Sequence, residues 1–463
     1  MKTVKVKKGW PFKKIAGKPS LRTASRPAKK YVAAMPVHIP FVKPRLLVSE
    51  GDQVKIGTAL FEDKQNTGIR FLSPGGGILE KIVYGPRRVI KEMRIRLDDA
   101  ETAESFDSFT ASDIDAMSRD ILTRHLMNGG MWGFLRQLPF RNIADPEAKP
   151  HAIWVTLGSA DPFQPSASVY LKDNKHFFDL GIKALGRLAG TVHIAWHDSG
   201  SKPKKNNPDV QPDAPIDIRT DIRPTHRVRG GFPASDAGVV LFHTKQSPDE
   251  NRDWYIDGQD VVLIGKFLQT GVYPTERTVA FSDGTAENSC HITTRAGVRF
   301  SDLAAPETDI AHPLWVTGGL FTGYTGSGDN FLGYYETSVM IIEKSHASEF
   351  FGFVRPGWSK LSNSRTVLSA LSSRPLAVDS DMHGEERPCV NCGYCAAICP
   401  VDIMPQYTYK SLYADEIEDA LRHGLLDCVE CGLCSFVCPS KIDLTDFFIS
   451  ARKRYHKELQ QGV

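Results

Sequence analysis

Long apolar runs are missing from this chain: no stretch approaches the roughly eighteen unbroken apolar residues that cross a bilayer, so it is expected to be soluble or peripheral on something that does cross. Acidic residues are missing before Glu50, whereas positions 1–30 hold eleven Lys or Arg residues. That basic end has no apolar h-region, because Trp10, Pro11 and Phe12 run straight into Lys13 and Lys14, which argues against secretion. A solvated face, or one that docks on acidic protein or anionic headgroups, is the expectation there. Net charge is small as well: +3 over 463 residues gives no reason to place nucleic acid as the partner of the whole molecule. Cysteine is nearly missing from the first 388 residues, where Cys290 stands alone. With no mark of export, a disulfide framework is disfavoured, and Cys290 reads as a small buried apolar residue.

The remaining eight cysteines are concentrated near the carboxyl end, in two copies of one run. Cys389, Cys392, Cys395 and Cys399 precede Pro400, and Cys428, Cys431, Cys434 and Cys438 precede Pro439. This C-x2-C-x2-C-x3-C-P spacing is that of a bacterial two-cluster ferredoxin, in which the fourth cysteine of each run serves the other cluster. Small residues such as Gly393 and Gly432 let three thiolates converge on one cubane. The expected ligand sets are therefore Cys389, Cys392, Cys395 and Cys438 for one [4Fe–4S] cluster, and Cys428, Cys431, Cys434 and Cys399 for the second. Structural zinc would use four ligands per ion, usually in two C-x2-C knuckles, and would leave the third close cysteine and the trailing Cys-Pro without a role. Glu385, Glu386, Asp427 and Glu430 near these runs would lower the cluster potentials, and are equally ordinary surface residues.

The body, with 41% apolar residues, is long enough for about three domains. Residues 44–97 alternate short apolar strands with glycine turns at Gly51, Gly57 and Pro74 to Gly77, the pattern of a small two-sheet sandwich. It is similar to the biotinyl/lipoyl barrel-sandwich fold, although Lys64 lacks the flanking residues of an acylation site. Residues 113–136 read as helical. From 152 a β-α-β unit follows: "AIWVTLG" is a strand, Phe178, Ile182 and Leu185 mark one helix face, and "TVHIAW" is the next strand, which predicts an open parallel sheet with helices on its faces. Residues 201–217 read as a long surface loop. A helix is predicted over Gly258 to Thr270 and a strand near Arg277 to Phe281. Residues 314–343 read as two strands around a hairpin tip at Gly323 to Gly328; that glycine-rich stretch joins strands instead of opening a helix, which disfavours a phosphate-binding loop.

This order of parts resembles the NqrA family, the A-type subunits of the Na+-translocating NADH:quinone oxidoreductases, with the C subunit of the Rnf electron-transport complex as its nearest relative. The resemblance covers nearly the full length. It rests on "KKGWPFKKIAGKPS", "VSEGDQVKIGTALFEDKQNTGIRFLSPGGGIL", "NGGMWGFLRQLPF", "YIDGQDVVLIGKFLQTGVYPTERTVAF" and "GGLFTGYTGSGDNFLGYYETSV". It implies an α+β multidomain protein. Residues 1–105 would hold the basic segment and the barrel-sandwich hybrid domain, 106–295 a Rossmann-like α/β domain and 296–357 a β-grasp (SLBB-like) domain. A linker over 358–386 would lead to an α-helical two-cluster ferredoxin-like domain over 387–463. In the Rnf subunit the loop after the first central helix is a glycine-rich flavin and nucleotide cradle. Met131, Trp132, Phe134, Leu135 and Arg136 stand there in this chain, which weighs against bound FMN or NADH and leaves quinone open. Familiar NqrA chains have lost most of the cluster cysteines, whereas the Rnf C subunit keeps the full set, so this sequence joins an NqrA-type body to an Rnf-type tail.

The resemblance implies a peripheral electron-transfer subunit of a membrane-bound, ion-translocating NADH:quinone oxidoreductase, on the cytoplasmic side of the inner (plasma) membrane. Its expected partners are the membrane and flavin-bearing subunits of the complex, with a soluble ferredoxin or an NADH-oxidising subunit as donor. The chain would be catalytically incomplete alone, and no catalytic residue is assigned. Two other readings stay open: an Rnf-type C subunit that oxidises NADH through bound FMN, and a scaffold whose clusters are structural.

Overall fold

The computed structural model describes residues 1–12, 14–199, 218, 222–305, 308, 310, 312–344, 356–362, 367–378, 380 and 385–461. Four sheets carry the body. Two of them form the expected sandwich. Tyr31–Ala34, Ile90–Leu97, Gly77–Tyr84 and Gln53–Val54 make one antiparallel sheet, and Pro44–Leu46, Ala59–Asp63 and Arg70–Leu72 make the other. The turns at Gly51, Gly57 and Gly77 have positive φ, and at Gly77 a Cβ would strike the Arg96 carbonyl, so the glycine pattern read from the sequence is enforced sterically.

The α/β sheet has seven strands, in the order Lys2–Lys5, His226–Arg229, Val192–His197, Ile153–Leu157, Trp254–Asp257, Arg136–Gln137 and Asn142–Ile143. The first five lie parallel and the last two turn antiparallel. The central strands are buried on both faces, as a helix-covered parallel sheet requires. Helices Lys175–Leu188 and Gly258–Thr270 pack closely, because Gly181 and Gly265 let each backbone reach the other; a Cβ at either would overlap Val261 or Phe177. The second helix occupies the predicted residues. Asp257 caps its start, accepting from the Gln259 amide at 2.9 Å, and Gly271 in the left-handed region ends it.

The third sheet has six strands: Tyr324–Gly326, Pro313–Thr317, Ser338–Glu343, Glu276–Ser282, Cys290–Arg295 and Ser20–Ser25. It corrects three expectations. Strands Glu276–Ser282 and Cys290–Arg295 fall within the expected α/β domain, but they pair with Ser338–Glu343 and Ser20–Ser25, so the expected division at 295/296 falls inside a sheet. The glycine-rich tip is itself an edge strand, Tyr324–Gly326, hydrogen-bonded antiparallel to Pro313–Thr317. The basic amino end is woven through the body instead of lying on it as a solvated face. Lys2–Lys5 completes the parallel sheet and Ser20–Ser25 the mixed one, while Val4, Val6, Phe12 and Ile15 are buried. Its apolar residues set its place, Lys2, Lys5 and Lys7 ride on exposed positions between them, and Lys8 pairs with Asp402 at 2.6 Å. Cys290 is fully buried among the apolar residues of the mixed sheet.

The predicted loop at 201–217 lies outside the described residues, as does part of the 358–386 linker. The carboxyl-terminal unit is helical: Tyr394–Ile398, Pro405–Tyr413, Ile417–Arg422, Leu433–Phe436 and Leu444–Gln461. Among the described residues no helix is long and apolar enough to cross a membrane.

Candidate iron–sulfur centres

The two cysteine runs fold as copies of each other, displaced by 39 residues in the sequence. Asn391 and Glu430, at matching positions, take left-handed φ values of 55° and 56°, and Gly393 and Gly432 both take 76°. A short helix follows each glycine and carries the third cysteine. Left-handed turns of this kind aim successive amides and thiols inward at one point.

Cys399 of the first run joins Cys428, Cys431 and Cys434 of the second around one pocket, closed by Pro400, Val401, Leu433, Thr445 and Phe448. On the other side, the Arg387 amide donates to the Ser440 carbonyl at 2.9 Å and the Ser440 hydroxyl to the Pro388 carbonyl at 3.0 Å. Those bonds bring the segment entering Cys389 beside the one leaving Cys438. Cys389, Cys395 and Cys438 pack in one apolar cluster with Leu412, Leu425 and Phe448, a cluster that Cys428 and Cys434 also touch, and Cys392 is exposed.

The chemistry of the donors fits iron. Burial pushes the Cys399 thiol up to about 11 and Cys434 to about 12, and holds Cys431 well above the ordinary range. Four buried thiols gathered in one pocket are ionised together only against a multivalent cation, and iron supplies that charge. Two arginines that no sequence motif marks bind the backbone of the loop that lines this pocket. Arg452, fully buried on helix Leu444–Gln461, donates to the Cys428 carbonyl at 2.5 Å, to Glu430 at 2.7 Å and to the Pro139 carbonyl. Arg141 donates to the Val429 carbonyl at 3.2 Å and to Asp236 at 2.8 Å. The Nε atoms of both are buried without a hydrogen-bond partner. Asp427 and Glu430 are thus paired, Asp427 with Lys245 at 2.8 Å and Glu430 with Arg452, whereas Glu385 and Glu386 are exposed. The sequence signal for Arg452 is its helical spacing behind Leu444 and Phe448, on a buried face it shares with His456.

The loop in place of a flavin cradle is filled. Met131, Trp132, Phe134 and Leu135 are buried, and Trp132 Nε1 donates to the Ala144 carbonyl at 2.8 Å. Phe134 stacks on Tyr334 with ring centroids 4.5 Å apart. The hydroxyls of Tyr334 and Tyr335 bind the carbonyls of Gly130 and Gly133 at 2.8 and 2.7 Å. Arg136 lies between the Tyr255 and Tyr335 rings, 4.5 and 4.6 Å from their centroids. Elsewhere, His151, Glu250 and Asp253 bring ligand atoms within 4.8 Å of one another, but the Asp253 carboxylate is engaged by the Ala152 amide and Trp154 Nε1.

An α/β body with a barrel sandwich, joined to a paired-cysteine helical unit, defines an electron-transfer protein of the iron–sulfur class. Residues 4–98 match the NqrA N-terminal barrel-sandwich hybrid domain, 117–273 the NqrA second alpha/beta domain, and 381–442 a 4Fe-4S dicluster domain. The chain is 30% identical over 428 residues, 92% of both chains, to the NqrA subunit of the Na(+)-translocating NADH-quinone reductase of Yersinia pestis bv. Antiqua (strain Angola). It is 31% identical, over 91% of both chains, to the same subunit of Rhodopirellula baltica. It belongs to the NqrA family of Na(+)-translocating NADH-quinone reductase subunits. Among solved structures, an NAD+-reducing [NiFe]-hydrogenase in its H2-reduced state overlays with a TM-score of 0.31 at 11% identity, covering 78% of this chain and 66% of that chain, too loose a match to carry an argument.

Proposed function

We propose that this chain is the peripheral electron-transfer subunit of a membrane-bound NADH-quinone reductase, holding two [4Fe–4S] clusters that relay single electrons between a soluble or flavin-bearing donor and the membrane subunits. The observation that carries the reading is the gathering of Cys399 with Cys428, Cys431 and Cys434 around one pocket, which supports an exchange of fourth cysteines between two four-thiol sets. When bound, two such clusters supply adjacent one-electron carriers. The protein's part is to hold them, to exclude water from one set, and to set the charge around each. The relatives' membership in a Na(+)-translocating reductase supports a place beside membrane subunits, and the cytoplasmic side is the one proposed here.

The filled loop at Met131 to Arg136 favours a flavin and an NADH site on other subunits. Purified chain should then be brown, carry about eight irons, contain no stoichiometric flavin and fail to bleach with NADH. Stoichiometric FMN would favour the Rnf-type reading instead. In the assembled complex, Cys434→Ser should abolish NADH-to-quinone turnover; full turnover with an intact fold would leave the clusters a purely structural role.

A further inference from the structure

The two cysteine sets have unequal surroundings, and matching positions of the repeat measure the difference. Val390 is 68% exposed, whereas Val429 is 7% exposed. Tyr394 is 47% exposed and Leu433 is fully buried. A Cβ on Gly393 would meet open space, but one on Gly432 would stand 2.6 Å from the Phe321 carbonyl of the mixed sheet. The set of Cys399, Cys428, Cys431 and Cys434 is therefore an inner one, seated on the body. Cys428, Cys431 and Val429 pack with Val4, Val6 and Tyr255 of the α/β unit. The set of Cys389, Cys392, Cys395 and Cys438 is an outer one, clothed by residues of its own unit and open at Cys392.

Charge follows the same division. Arg452 and Arg141 bind backbone carbonyls at Cys428 and Val429, inside the loop that carries the inner set. Their carboxylate partners sit further out: the side chains of Arg452 and Glu430 are 2% and 25% exposed, and those of Arg141 and Asp236 16% and 23%. Water screens the acids more than the guanidinium groups, which leaves net positive charge beside the loop that carries the inner thiols. Each arginine also retains a buried Nε–H with no partner, a charge-assisted donor of the kind that sulfur ligands accept. On the outer loop, Lys410 reaches Asn391 at 3.5 Å from an exposed position, where its charge is largely screened.

Resting on the two-cluster reading above, we infer that Arg452 and Arg141 are potential-setting residues that make the inner cluster the better electron acceptor of the pair. One electron then passes from the outer site to the inner one; the outer is oxidised, the inner reduced, and no bond or proton changes place. The outer cluster, at the open Cys392, is where a redox partner exchanges electrons with this chain.

The test is an EPR redox titration of the full-length reconstituted chain, with a chelated dysprosium complex as a water-soluble relaxation agent. The signal that dysprosium broadens should belong to the lower-potential cluster. Arg141→Gln should lower only the protected, higher potential, by about 59 mV for each tenfold loss of relative electron occupancy, and Arg141→Lys should restore most of it. Arg452→Lys, which keeps the charge but not the three-way hydrogen bonding, should shift the same signal in the same direction. A dysprosium-sensitive signal at higher potential, equal shifts of both signals, or no shift in Arg141→Gln would each overturn the inference. A chain that binds about four irons would instead overturn the two-cluster reading beneath it.

Discussion

The Ser440 hydroxyl donates to the Pro388 carbonyl at 3.0 Å, laying the turn after the last cysteine of the second run against the segment that enters the first. The bond predicts how ligand substitutions cross over. Cys438→Ser should cost the solvent-accessible cluster, served by Cys389, Cys392 and Cys395, and spare the protected one; Cys399→Ser should do the reverse. Iron analysis with EPR reads this directly, and loss confined to each cysteine's own run would refute the exchange.

A second expectation concerns Glu336, whose carboxyl burial pushes up from 4.5 to about 7. The folded chain keeps that proton where the unfolded chain releases it, so from about pH 4.5 to 7 stability falls as pH rises. Glu336→Gln removes this slope. Its advantage over the parent should widen between pH 5 and 7 and level off above, at roughly 1–3 kcal/mol. Asp161 and Asp257, both raised to about 6 by burial, act with the same sign and remain. Parallel stability–pH curves in urea melts would show that Glu336 titrates normally.

The filled loop makes its own prediction. Trp132 has no exposed surface, touches Trp254 edge-on with centroids 5.6 Å apart, and satisfies Ala144. Trp132→Ala should cost about 3–5 kcal/mol through the cavity it opens. A loss below about 1 kcal/mol in equilibrium unfolding would mean that the loop collapses readily and is not packed as described.

Arg277 and Asp260 form a buried pair at 2.5 Å, both side chains less than a tenth exposed. Arg277→Met strands the carboxylate and should cost about 3–5 kcal/mol, while the double variant Arg277→Met, Asp260→Leu should recover much of that. A double variant no more stable than the single one would show that the pair does more than neutralise itself.

What the sequence disclosed follows from range. The cysteine spacing and the apolar periodicity over Gly258–Thr270 are local, written within a few residues of where they act, and the cluster loops and that helix can be read from them. The strand near Arg277 to Phe281 is legible in the sequence but its sheet is not, because apolar alternation reports burial and not the identity of the neighbour. Arg452 and Arg141 escaped notice for the same reason: their partners at Cys428 and Val429 lie 24 and 288 residues away, a distance no periodicity spans.

The pairing of Lys2–Lys5 with His226–Arg229 and of Ser20–Ser25 with Cys290–Thr293 bears on the history of each molecule. At about 5–20 residues per second, the first strand waits roughly 10–45 s for its neighbour to be synthesised. The earliest strands are thus seated only once about half to two thirds of the chain has been made, and the cysteines at the far end emerge later still. The platform under the inner thiols, which includes Val4 and Val6, is complete only when both ends of the chain are present. The cysteines of the inner set therefore follow onto a seat whose α/β residues have all been made before them.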